Sequence, residues 1–296
     1  MIFRDAADAW IEAYKQDRAY TTGVVTEMYL RKRVLPAFGD LRLEEINREH
    51  VQSFAQSLSK DKLDRTTIEK MVRIVSMVFQ FTPSIEDPTK GISYRYIPKR
   101  GRKKEIFEHE EVEKLIVAAR PKWMGDLILL AYRTGMRRGE MFGLRWENVD
   151  FVRHRLYVLE NAVCTKPGER IIKCPKTKES ERVILLDHAT MEMLNRRKSE
   201  AKPEGGIWVF EDQYGRPLSP WYVTKYMHEA CKKIGIVPRG IHMLRHTHAT
   251  YLLSKKVYIK TVQMRLGHST PIITLGTYAH ALAYMQEEAV NVLDDL

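Results

Sequence analysis

Cysteine, unbroken apolar stretches and acidic charge are all scarce in this sequence, and each scarcity excludes something. Three cysteines occur, Cys164, Cys174 and Cys231. An odd number without metal-ligand spacing argues against a disulfide framework and a thiolate metal site, and fits free thiols in a reducing cytoplasm. No apolar run approaches the ~20 residues of a membrane-spanning helix, and no signal-peptide pattern opens the chain. Internal repeats and low-complexity tracts are absent as well. Asp and Glu number 38 against 49 Lys and Arg, a formal net charge of +11. That imbalance points to a polyanionic partner, nucleic acid ahead of an anionic membrane surface. What is present is an ordinary globular composition, 44% hydrophobic over 296 residues, enough for two domains with their own cores.

The densest chemistry lies in residues 241–280, IHMLRHTHATYLLSKKVYIKTVQMRLGHSTPIITLGTYAH. His242 and Arg245 are three residues apart and share a face on a helix, with Leu244, Leu252 and Leu253 as its apolar anchor. A second amphipathic segment starts at Lys260 and is stopped by Gly267. His268 follows at the turn, and Tyr278 ten residues later. Guanidinium offers a phosphodiester a planar fork of donors that never loses its charge. Imidazole moves protons near neutral pH. A tyrosine hydroxyl becomes a nucleophile when cations stabilise its phenolate.

Upstream, residues 1–90 read as a helical bundle of four periodic segments. Ala7, Trp10, Ile11 and Tyr14 face inward from the first. The second, residues 22–35, is expected to end at Pro36. Asn47 caps the third, with Val51, Phe54, Ala55 and Leu58 inside. Thr66 and Glu69 form a capping-box pattern for the fourth, with Ile68, Met71, Val75, Val78 and Phe79 inside. A basic linker over residues 91–105 carries Arg95, Lys99, Arg100, Arg102, Lys103 and Lys104, and phosphate contact there would position DNA without reading its sequence.

The second domain, residues 106–280, begins with helical patterns at 109–120 and 123–133. In TGMRRGEMFGLRWENVD, residues 134–150, Gly135 ends one helix, Arg137 starts the next, and Glu140 lies one turn on, able to orient that arginine. Leu144 and Trp146 are expected in the core. Residues 155–163, 170–174 and 182–186 read as strands of a small antiparallel sheet, with PKTKESER as a hairpin tip between the last two. Helices follow at 188–200 and from Ser219–Pro220 into 222–234. A tail, residues 281–296, has Leu282, Met285, Ala289, Val292 and Leu293 at helical spacing. The expected fold class is mainly α with a small antiparallel β-sheet.

The strings HMLRH, LGHS and TYAH, with Arg137 in its TGMRRGE motif and the KTKESER segment, resemble the tyrosine recombinases, also called phage-type integrases. The resemblance covers nearly the whole chain, with strong motifs from Thr134 onward. It implies a small helical DNA-clamping domain followed by a mixed catalytic domain. It also implies a catalytic set of Arg137, Lys176, His242, Arg245, His268 and Tyr278, with Glu140 as the acidic neighbour. Tyr278 would be the nucleophile that forms a 3′-phosphotyrosine. Lys176 would be the general acid, with Lys178 the nearest alternative. His246, His248 and His280 match accessory positions. The bond energy stays in the covalent link, so neither metal nor ATP is implied. The implied partner is double-stranded DNA, bound by a dimer per site and a tetramer in the synapse; accessory directionality or bending proteins are candidate partners. The implied setting is the nucleoid in the cytoplasm.

Two departures are visible. Gly276 sits two residues before the nucleophile and weakens a short helix there. Many mobile-element integrases carry an extra N-terminal domain for arm-type sites, whereas Met1 opens directly into the expected clamp domain; the expectation is that this type lacks the arm-binding domain or that it has been removed. The long strand region favours a mobile-element integrase. The rival readings are a chromosome-type resolvase, a type IB topoisomerase-like enzyme and a non-catalytic DNA-binding regulator. The tail is expected to dock either on its own domain or on a neighbouring protomer.

Overall fold

The computed structural model describes residues 1–83, 85–98, 106–166, 169–174, 180–201 and 206–267. The chain divides into two compact units, Met1–Lys103 and Lys104–Leu296.

The first unit is helical: α1 (Phe3–Asp17), α2 (Tyr20–Tyr29), α3 (Leu35–Phe38), α4 (Arg48–Lys60) and α5 (Arg65–Phe81). Its centre is aromatic, with the Phe3 ring 5.8 Å from Phe38 and 6.1 Å from Phe79. The inward residues expected of α4 and α5 are buried there. Pro36 does not end the second helix as expected. A π-helical turn, Leu30–Val34, joins α2 to α3, and Pro36 lies in the first turn of α3. The wider turn, with Leu35 N–H on Leu30 O, accommodates a proline that supplies no N–H and crowds the carbonyl four residues back.

Asn47 caps α4 through a bond from His50 N–H. At α5 the cap is Asp64, not Thr66: its carboxylate accepts from Thr66 N–H at 2.8 Å, and Glu69 pairs with Arg65 instead. A charged acceptor two residues earlier outcompetes the capping box. The expected linker is partly structural too. Arg48 bonds Gly91 O, Gln52 exchanges two bonds with Ser93, and Ile97 is 5% exposed against this core. Arg95 stacks over the Tyr96 ring. Lys99, Arg100, Arg102, Lys103 and Lys104 lie outside the described residues.

The second unit has α6 (His109–Ala118), α7 (Lys122–Thr134), α8 (Arg138–Phe142), β1 (Val149–Asp150), β2 (Arg155–Val158), β3 (Asn161–Lys166), β4 (Glu169–Lys173) and β5 (Arg182–Leu185). It continues with α9 (His188–Glu200), α10 (Pro220–Lys233), α11 (His242–Ser254) and α12 (Ile259–Leu266). The fold class is as expected, but the strands form two sheets: β1-β2-β5 and β3-β4, all pairings antiparallel.

The expected strand over 155–163 is therefore two strands in different sheets. The break falls at Leu159–Glu160, where both Glu160 oxygens are held by Arg145 at 2.6 and 2.9 Å. β4 and β5 are likewise not paired with each other, since β4 pairs with β3 and β5 with β2, and residues 175–179 of the PKTKESER segment lie outside the described residues. Leu127, Ile128 and Leu130 of α7 form the core with Leu156, Ile184 and Leu244. Leu144 is buried in it, while Trp146 is only partly buried. A smaller core of Ala249, Leu253, Val262 and Leu266 seats α12 on α11.

Candidate active site

The α7–α8 turn is built around a glycine. Gly135 ends α7 in the left-handed conformation, φ +65°, with its N–H on Ala131 O. A Cβ there would stand 2.6 Å from His248 Cδ2 and 2.8 Å from Leu266 Cδ2. Gly135→Ala is therefore expected to destabilise by about 1–3 kcal/mol from backbone strain alone. The check is Tm by calorimetry, which should fall by about 2–4 °C per kcal/mol; an unchanged Tm would contradict this packing.

Arg137 follows as the extended N-cap of α8, and Glu140 sits in the first turn. The Glu140 carboxylate accepts both the Arg137 backbone N–H and its Nη1, each at 2.7 Å. Gly139 keeps α8 tight on β3, since a Cβ would come 1.9 Å from Asn161 Oδ1.

The opposite wall is the C-terminal end of α12, whose last carbonyls have no partner within the helix. Three consecutive carbonyls there each accept one arginine. Arg182 Nε donates to Arg265 O at 2.7 Å, Arg245 Nη2 to Leu266 O at 2.8 Å, and Arg137 Nη2 to Gly267 O at 2.7 Å. Arg245 also donates Nη1 to Gly135 O at 2.6 Å. Two glycine-ended helices, α7 and α12, thus hold one arginine between them. The negative helix end favours this crowding of guanidinium groups. Arg245 is 3% exposed, whereas the Arg137 side chain keeps 37%.

Burial alone would raise the Glu140 carboxyl, but bonds and charge from Arg182, and then the Arg137 N–H and charge, outweigh it and hold its pKa low. It is the carboxylate that the described contacts place on Arg137 and Arg182. His248 is 5% exposed. Nδ1 faces Tyr132 O at 2.7 Å, and Nε2 faces Arg265 Nε at 3.3 Å. A carbonyl only accepts and a guanidinium only donates, so the ring is the neutral Nδ1–H tautomer. Burial, then the Arg265 charge, push its pKa from 6.5 to about 3. Arg265 completes the brace with bonds to Leu185 O and Arg133 O.

The sign of the linkage follows. Between pH 6.5 and about 3 the unfolded chain takes up a proton at His248 that the native state refuses. Its contribution is thus present above pH 6.5 and lost as pH falls, by up to about 1.4 kcal/mol per pH unit. His248→Gln should flatten the fall in urea-melt stability between pH 6.5 and 5, above the range where Glu140 titrates. Parallel curves for wild type and variant would refute the neutral buried imidazole.

Among the expected residues, the structure brings together Arg137, Glu140 and Arg245. His242 opens α11, exposed, with its ring 5.4 Å from that of His246 and perpendicular to it. Lys176, His268 and Tyr278 lie outside the described residues. Sequence reasoning missed Arg182 and Arg265, and it left His248 among accessory positions. The available signal was a charge opening the otherwise apolar run RVILL, and another just before LGH.

The sequence model described as "Phage integrase family" matches residues 105–284, and one described as "Phage integrase, N-terminal SAM-like domain" matches residues 2–59. A curated relative, the "Tyrosine recombinase XerC-like" protein of Caldanaerobacter subterraneus subsp. tengcongensis, is 32% identical over 212 residues. That alignment takes in 65% of this chain and 54% of the relative, so the chain spans about half of that relative's length. In fold, the chain is similar to the Tn1549 transposon integrase in complex with a circular intermediate DNA, at TM-score 0.86 and 18% identity, covering 99% of both chains. It is also similar to lambda integrase, seen as a tetramer bound to a Holliday junction, at TM-score 0.72 and 19% identity over 94% of this chain and 77% of that one. With more than half of the chain matched by the catalytic-region model, and the arginine-lined site lying within that match, the chain belongs to the phage integrase family, the tyrosine recombinases.

Proposed function

We propose that the protein cuts and rejoins double-stranded DNA at specific sites through a 3′-phosphotyrosine, in the integration or excision of a mobile element. The observation that carries this reading is the seating of Arg137 and Arg245 on consecutive carbonyls, Gly267 O and Leu266 O, immediately before His268. Two guanidinium groups so placed suit the two non-bridging oxygens of one phosphate.

In the reaction, Tyr278 Oη attacks phosphorus and the bond to the 5′-oxygen breaks. His242 handles the tyrosine proton, His268 donates to a phosphate oxygen, and Lys176 protonates the leaving oxygen. The phosphotyrosine keeps the bond energy, and a second DNA end reverses the step. Preorganised positive charge stabilises the phosphorane-like transition state. The protein acts as an oligomer on DNA, a dimer per site and a tetramer in synapsis, consistent with the tetrameric lambda relative. The transposon integrase among its structural neighbours favours a mobile-element role. The DNA at which it acts places it in the cytoplasm, with the nucleoid.

The test is a covalent protein–DNA adduct on a nicked substrate, read on a denaturing gel, followed by exchange between two sites. Cleavage without exchange would move the protein to the topoisomerase-like reading. Binding should also fall steeply with salt, with a slope near −0.9 per neutralised phosphate. Neutralising Arg100, Arg102 and Lys103 together is expected to flatten that slope on all sequences alike. An unchanged slope would mean that these residues do not touch the backbone.

A further inference from the structure

The Glu140 carboxylate is 4% exposed and receives four N–H donors among the described residues. Oε1 accepts from Arg137 Nη1 at 2.7 Å and Arg182 Nη1 at 3.2 Å. Oε2 accepts from the Arg137 backbone N–H at 2.7 Å and Arg182 Nη2 at 2.8 Å. Arg182 arrives from β5, 42 residues along the chain, with a side chain only 6% exposed. Among the described residues it also donates to two backbone carbonyls, Arg265 O at 2.7 Å and Ser180 O at 3.0 Å. Gly267 leaves the space this guanidinium fills, since a Cβ there would lie 3.0 Å from Arg182 Nη1.

A charge count explains why a second arginine is useful. Glu140 bonded to Arg137 alone would form a pair of zero net charge. In a low-dielectric site that pair would cancel much of the field Arg137 offers to a phosphate. With two guanidinium groups on one carboxylate, a full positive charge remains, and the half-exposed member that can meet a ligand is Arg137. The described bonds of the buried member go to Glu140 and to backbone carbonyls.

We infer that Arg182 is a positioning residue for strand cleavage: its fork occupies Glu140, so that Glu140 orients Arg137 without neutralising it. This rests on the reading of Arg137 as a phosphate ligand. Arg182 and Glu140 then act as one device, and their effects on the reaction are coupled.

The experiment is a double-mutant cycle on single-turnover cleavage with Arg182→Met, Glu140→Gln and the pair. The probe is a nicked duplex carrying a half-site that the wild-type protein selects from random-sequence DNA. At saturating DNA, Arg182→Met is expected to slow cleavage by about 10²-fold. Half-site affinity should change by less than about threefold, because backbone binding is spread over many contacts. Adding Glu140→Gln should recover about tenfold, because no uncompensated carboxylate then faces Arg137. In the Glu140→Gln background, Arg182→Met should cost no more than about threefold, the non-additivity expected of a coupled pair. An equal loss in both backgrounds would overturn the inference. If Arg182→Met alone does not fold, the Glu140→Gln background decides, since neither protein there buries an unpaired carboxylate. A wild-type protein that forms no adduct would overturn the recombinase reading and this inference with it. A wild-type adduct with an additive cycle overturns the inference alone.

Discussion

Tyr278→Phe is expected to bind DNA with unchanged affinity and to form no covalent adduct at all. The substitution removes one oxygen from a chain whose DNA binding rests on cations elsewhere, so binding and chemistry separate cleanly. A persistent adduct in the Phe variant, trapped on a nicked suicide substrate, would move the nucleophile to another residue. The companion variant, Arg245→Ala, is expected to lower the cleavage rate by about 10²–10³, the usual loss for one preorganised donor.

The structure adds a condition to that companion. Arg245 is buried and satisfies Gly135 O and Leu266 O. Its removal strands two carbonyls, each costing about 1–3 kcal/mol. Stability must therefore be measured beside rate. Arg245→Lys, which keeps charge but loses the fork, should retain more stability than Ala and still cleave poorly.

Lys176→Ala is expected to slow cleavage by about 10²–10⁴, the span of a general acid. The defect should disappear on a substrate whose scissile 5′-bridging oxygen is replaced by sulfur. A thiolate leaves without a proton, so a missing acid costs nothing there, whereas a missing binding contact would cost the same on both substrates. Rescue confined to Lys178→Ala would transfer the role to that neighbour. In sequence Lys176 falls between β4 and β5, which belong to different sheets, and β5 opens at the arginine that holds Glu140.

Much of the fold was legible because it rests on local rules. Helical periodicity located α1, α4, α5, α7 and α11, and Gly135 and Gly267 marked two helix ends, as left-handed positions that few other residues tolerate. The misreadings came where a neighbour overrode a local rule. Pro36 is carried by a π-helical turn, Asp64 displaces Thr66 as a cap, and the strand over 155–163 breaks where Arg145 grips Glu160.

The sequence by itself determined the basic character and the family, and it singled out Arg137, Glu140 and Arg245 as candidates, because motif spacing and charge are written in residue order. Only the tertiary structure decided how those groups are held. Three arginines from residues 137, 182 and 245 converge on three successive carbonyls at one helix end. That convergence follows no sequence period. It arises because unsatisfied helix-end carbonyls are strong acceptors, because two glycines let backbones and guanidinium groups approach, and because one buried carboxylate draws in two guanidinium groups that together hold its pKa low.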